Sequence, residues 1–158
     1  YPGGLPPSAG GGVVNDLFDT PPPVAAGADA AARLTALTFV LDHLGKPPIA
    51  TGAFEPWGAD LRRLAALPNT VCKLSGLVTE AAPGSRRTED LQPYADIALD
   101  AFGPQRLMFG SDWPVCTLQA DYTSVVGVAD SLTKTLGPGE KDAVFHHNAC
   151  RVYGLAGP

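Results

Sequence analysis

The stretch TFVLDHLGKPP (residues 38–48) runs four β-branched or apolar residues into an aspartate and a histidine, and stops at two adjacent prolines. So short and apolar a run reads as a strand buried on both faces. Neither a helix interior nor a central strand accepts paired prolines, so a loop follows. Asp42 and His43 therefore fall where this strand ends.

The pattern recurs in both directions along the chain. VVNDLF (13–18) runs into Asp19, Thr20 and the prolines Pro21 to Pro23; TVCKLSG (70–76) and RLMFGSD (106–112) repeat it downstream. Between the runs the period changes to that of helices. Ala25 to Leu37 is alanine-rich, Trp57 to Leu67 places Leu61, Leu64 and Ala65 on one face, and Glu89 to Phe102 repeats Leu91, Tyr94, Ala95, Ala98 and Phe102 before the stop at Gly103 and Pro104. Two more helices are expected after the last strand, over Tyr122 to Leu136 and Lys141 to Tyr153. The spacing predicts an α/β fold with four parallel strands near 13–18, 37–42, 70–75 and 106–111, flanked by helices. A doubly wound nucleotide fold would carry a glycine-rich loop after its first strand, and VVNDLFDTPPP has no GxGxxG. A β/α barrel instead gathers its polar residues where strands end, as here.

Residues 1–12, YPGGLPPSAGGG, read as a disordered Gly/Pro-rich tail, and residues 13–158 as one domain. With 45% hydrophobic and 17% charged residues the chain can bury a core. A net charge of −5 without a basic run excludes the electrostatic footprint of a nucleic-acid or anionic-membrane binder. No apolar stretch approaches the length of a membrane span, and three scattered cysteines make no disulfide framework, so a cytoplasmic setting is expected.

The strand ends carry Asp16 or Asp19, Asp42 with His43, Lys73 with Ser75, and Ser111 with Asp112. Parallel strands bring these ends to one mouth. His43 reads as a ligand to a metal or a substrate oxygen, or as a histidine bonded to nearby backbone. Asp112 sits on a sharp strand-to-loop turn, as a general base for water or as a cap on backbone N–H groups. Lys73, a charge inside a strand, either contacts a substrate carboxylate or carbonyl or pairs with a neighbouring aspartate. Trp113, beside Asp112, is a second candidate substrate contact. His146 and His147 point about 100° apart on a helix and are taken as surface or packing residues.

FVLDHLGKPPI (39–49), CKLSGLVTEA (72–81), AFGPQRLMFGSDWPVC (101–116) and HNACRVYGL (147–155) together resemble the C-terminal half of amidohydrolase family 2, in its fuconolactonase-like, sugar-acid lactonase branch. The likeness covers about residues 13–155 in order. It implies the C-terminal half of a (β/α)8 TIM-type barrel that opens a small-molecule lactone by water attack on the ring carbonyl. By position, Asp112 matches the family's general base and His43 the histidine near the substrate carbonyl or metal. Both are thus candidate ligands for a divalent metal such as zinc; some relatives do without one, so metal-independent chemistry stays open. The family's first strand carries a His-x-His pair, whereas the histidines here are His43, His146 and His147. A complete barrel takes about 250 residues, so roughly four β/α units are expected to lie outside this chain. Two unpaired barrel edges would favour self-association. The alternatives are a catalytically inactive fragment, a half barrel needing complementation and, more remotely, a same-fold decarboxylase.

Overall fold

The structure, a computed structural model, describes residues 14–17, 24–82 and 87–156. The expected tail, Asp19 and the triple proline lie outside these residues. Four strands, β1 (Val14–Leu17), β2 (Thr38–Leu41), β3 (Thr70–Leu74) and β4 (Leu107–Phe109), form one parallel sheet in sequence order. β2, β3 and β4 lie within their predicted spans but are shorter, because the polar residues at their ends leave the ladder.

Side-chain alternation divides the sheet into two faces. Phe39, Leu41, Cys72, Leu74 and Leu107 point to the main core, where they meet α1 (Val24–Arg33), α2 (Trp57–Ala65), α4 (Thr88–Phe102) and α5 (Tyr122–Leu132). The buried positions of α4 are the predicted set, Leu91, Tyr94, Ala95, Ala98 and Phe102, and Gly103 ends the helix with φ 68°. A short helix, α3 (Leu77–Glu80), follows β3, in a stretch to which the residue pattern assigned no element. On the opposite face Val40, Val71 and Met108 form a second, smaller cluster with Val14.

The last predicted helix starts earlier and is not uniform. α6 (Pro138–Asp142) runs through a π turn (Ala143–His147) into α7 (Asn148–Tyr153). This rod bridges the two faces beside β4: Val144 and Phe145 join the main core, Phe145 stacking on Phe109 at 5.0 Å, while Ala149 and Val152 pack on the Val40, Val71 and Met108 cluster. Asn148 anchors the crossing by donating to the carbonyls of Pro104 and Leu107, both at 2.7 Å. Arg106 similarly ties the strand-start side together, its guanidinium donating to carbonyls of Ala65, Leu67 and Phe102. Polar groups at the strand starts thus serve structure, and those at the strand ends remain for chemistry.

Candidate active site

Three strand ends supply one cluster. Past β2 the chain enters a tight turn in which His43 (φ 52°), Leu44 (φ 52°) and Lys46 (φ 53°) adopt left-handed backbone. Buried Trp57 holds this turn, its indole N–H donating to the Leu44 carbonyl at 2.7 Å. Past β4, Asp112 is also left-handed, at φ 57°. Such backbone costs a non-glycine residue on the order of 1 kcal/mol or more and is concentrated at functional sites. Here the two strained residues face each other, with His43 Nε2 3.6 Å from Asp112 Oδ1. That separation is too long for a hydrogen bond, so both groups stay available to a third.

The other imidazole nitrogen, Nδ1, lies 2.8 Å from the hydroxyl of buried Ser75. Gly76, with φ 70°, allows this approach: a Cβ there would lie 2.8 Å from His43 Cβ and Cγ. Gly110, just past β4, leaves room on the other side, where a Cβ would crowd Ser75 Cβ at 3.1 Å.

Deeper in the cluster, Lys73 Nζ lies 2.6 Å from Asp42 Oδ1 and 3.6 Å from Asp16 Oδ2. Tyr153 of α7 reaches in from the side, its hydroxyl donating to Asp16 Oδ1 at 3.2 Å and its ring centroid 5.6 Å from Lys73 Nζ. Burial pulls the Lys73 ammonium down, but the Asp42 carboxylate and the Tyr153 hydroxyl outweigh it, so Lys73 titrates above its ordinary range. Lys73 is therefore a fixed cation, unsuited to act as a base at neutral pH. Burial pushes the neighbouring Cys72 thiol up, which leaves it an inert core residue. These groups line an open cavity of about 260 Å³ whose wall includes Asp42, His43, Lys73, Ser75, Asp112 and Tyr153.

The other named residues lie apart. Trp113 is 65% exposed on the rim, outside the cavity lining. His146 is half-buried with Nε2 3.6 Å from Cys150 Sγ, His147 is exposed, and neither lines the cavity. Gly76, Gly110 and Tyr153 were not singled out in the sequence as site residues, and Ser75 stood there only as a strand-end residue. The Ser-Gly step after β3 was the available signal for the first of these; for Tyr153, far along the chain, none was.

His43 and Asp112 converge as metal ligands must, yet catalytic zinc takes three protein ligands. Among the described residues no group of three or more His, Cys, Asp or Glu side chains could hold a metal ion. The residues present do not complete a metal site, and a metal would need ligands from elsewhere.

The chain matches the amidohydrolase family model over residues 15–155. The chain belongs to the amidohydrolase family. It is 48% identical over 137 residues to an L-fucono-1,5-lactonase of Burkholderia multivorans, a match covering 80% of this chain and 46% of that one. It is 42% identical over 132 residues to the L-fucono-1,5-lactonase of Burkholderia ambifaria, covering 81% and 45%. A crystal structure of a Burkholderia multivorans amidohydrolase with bound zinc superposes with a TM-score of 0.85 at 43% identity, over 90% of this chain and 53% of that one. The chain thus spans about half the length of the relatives it matches. Its four parallel strands and flanking helices are about half of an amidohydrolase barrel. No helix among the described residues is long and apolar enough to cross a membrane.

Proposed function

We propose that this amidohydrolase unit supplies the acid–base half of a sugar-acid lactonase site. The observation that carries the reading is the facing pair of strained strand-end residues, His43 and Asp112, on the wall of one cavity. The similarity to the two L-fucono-1,5-lactonases supports the substrate class.

In this reading Asp112 accepts a proton from water as the water oxygen bonds to the lactone carbonyl carbon. His43 donates its Nε2–H to the carbonyl oxygen, where negative charge develops. The ring C–O bond then breaks, and the proton held by Asp112 passes to the departing alkoxide oxygen. Lys73, held by Asp42 and Asp16, contributes a fixed positive charge below the carbonyl rather than a mobile proton. Trp113 offers an apolar face on the rim for the sugar ring. The lactone ring is neutral and opens to a carboxylic acid, which gives its proton to solvent as it leaves; the Asp112 carboxylate would help to expel the resulting anion.

Residues beyond this chain complete the barrel in the relatives, so the test compares two proteins. One is the chain alone; the other is the chain fused to the segment of the Burkholderia multivorans lactonase that it does not match. The reading expects L-fucono-1,5-lactone hydrolysis by the fusion. A folded fusion without hydrolysis sinks it in favour of a catalytically inactive unit.

A further inference from the structure

We infer that Ser75 is a positioning residue that sets the tautomer of His43, by donating its hydroxyl hydrogen to Nδ1 so that the N–H resides on Nε2. The inference deepens the lactonase reading and rests on it for its catalytic meaning, but its geometry stands independently.

A neutral imidazole has one N–H and one lone pair. The Asp112 carboxylate oxygen sits 3.6 Å from Nε2, so a lone pair on Nε2 would face a negative charge, whereas an N–H there faces it favourably. Nδ1 is then the acceptor. The group facing it at 2.8 Å is the Ser75 hydroxyl, which can donate. Ser75 is 5% exposed, so water competes poorly for its hydroxyl.

The surroundings reinforce that one contact. Gly76 in left-handed backbone lies against the imidazole, closer than a Cβ would allow, and Gly110 lies against Ser75, where a Cβ would crowd the serine at 3.1 Å. The ring therefore has little room to turn over, and a turned ring would put carbons, Cδ2 and Cε1, where Nδ1 now meets Ser75 and Nε2 now faces Asp112. Two glycines and one hydroxyl, just past β3 and β4, thus fix which nitrogen of the histidine past β2 meets the substrate. An Nε2–H is what a developing oxyanion needs; the other tautomer would present a lone pair to it.

The direct test labels histidine with ¹⁵N and reads the imidazole tautomers by long-range ¹H–¹⁵N correlation, at a pH where the rings are neutral. There are three histidines, and His43→Gln assigns the relevant signals. The expected wild-type result is a protonated Nε2 and an unprotonated Nδ1 on His43. Ser75→Ala, with folding checked by circular dichroism, should give a mixture of tautomers, and Ser75→Cys, a weaker donor of similar size, an intermediate state. A wild-type proton on Nδ1, or an unaltered pure Nε2–H form in Ser75→Ala, overturns the inference. In the active fusion, Ser75→Ala should lower kcat about tenfold with KM nearly unchanged, since one neutral hydrogen bond is at stake and it acts in the transition state. The spectroscopic result needs no turnover, so failure of the lactonase reading and failure of this one are separable.

Discussion

Asp112→Asn is the substitution that best separates catalysis from architecture at this site. The new amide is nearly isosteric, and asparagine is among the few residues that accept the left-handed backbone found at this position, φ 57°. The carboxylate faces His43 at 3.6 Å, and it is the residue's backbone carbonyl, not its side chain, that accepts from the Cys116 N–H at 2.8 Å to close the loop. Folding should therefore change by less than about 0.5 kcal/mol, whereas loss of a loop cap would cost about 1 kcal/mol. For a fusion of full-barrel length 1 kcal/mol corresponds to a melting-point shift of roughly 2 °C, which scanning calorimetry resolves. Loss of the general base should lower kcat by about 10²-fold or more. Lactone hydrolysis followed by acid release, with melting temperature taken on the same sample of the fusion, reads both. A melting temperature lowered by about 2 °C or more with kcat intact would refute the reasoning and return Asp112 to a purely structural role.

Three further outcomes are expected. Lys73→Met leaves Asp42, whose side chain is 7% exposed, without its cation, and should cost about 3 kcal/mol in urea unfolding; a loss under about 1 kcal/mol would mean that the ion pair is dispensable. Gly76→Ala imposes a Cβ at φ 70° and 2.8 Å from the His43 side chain. It should destabilise by about 2 kcal/mol and shift the His43 ring resonances, an account that unchanged values of both would defeat. The isolated chain is expected to self-associate through the sheet edges at β1 and β4, and sedimentation velocity showing a monomer at micromolar concentration would contradict this.

Much of the architecture was legible because it depends on local chemistry. Short apolar runs, proline stops and the helical period of α4 located every strand and most helices to within a few residues. The π turn at Ala143–His147 was not legible. It lies where the helix passes from the main core to the second face, and no residue pattern announces that a helix must serve two surfaces.

The candidate site divides along the same line. Asp42, His43, Ser75 and Asp112 could be named from sequence because a parallel sheet sends all its strand ends one way, so strand-end position alone implies a shared mouth. Which of them touch, and by which atoms, depended on dihedral angles and on the missing Cβ atoms of Gly76 and Gly110. Lys73 shows the difference most clearly. Its sequence neighbours allowed a substrate contact or an ion pair, and only the meeting of β1, β2 and β3 put Asp16 and Asp42 within reach of its ammonium. Tyr153 joins that group from 137 positions away from Asp16. Residue types and periodicity determine which groups arrive at the mouth; three-dimensional packing decides their partners, because hydrogen bonds and ion pairs act over a few ångströms of space and are blind to distance along the chain.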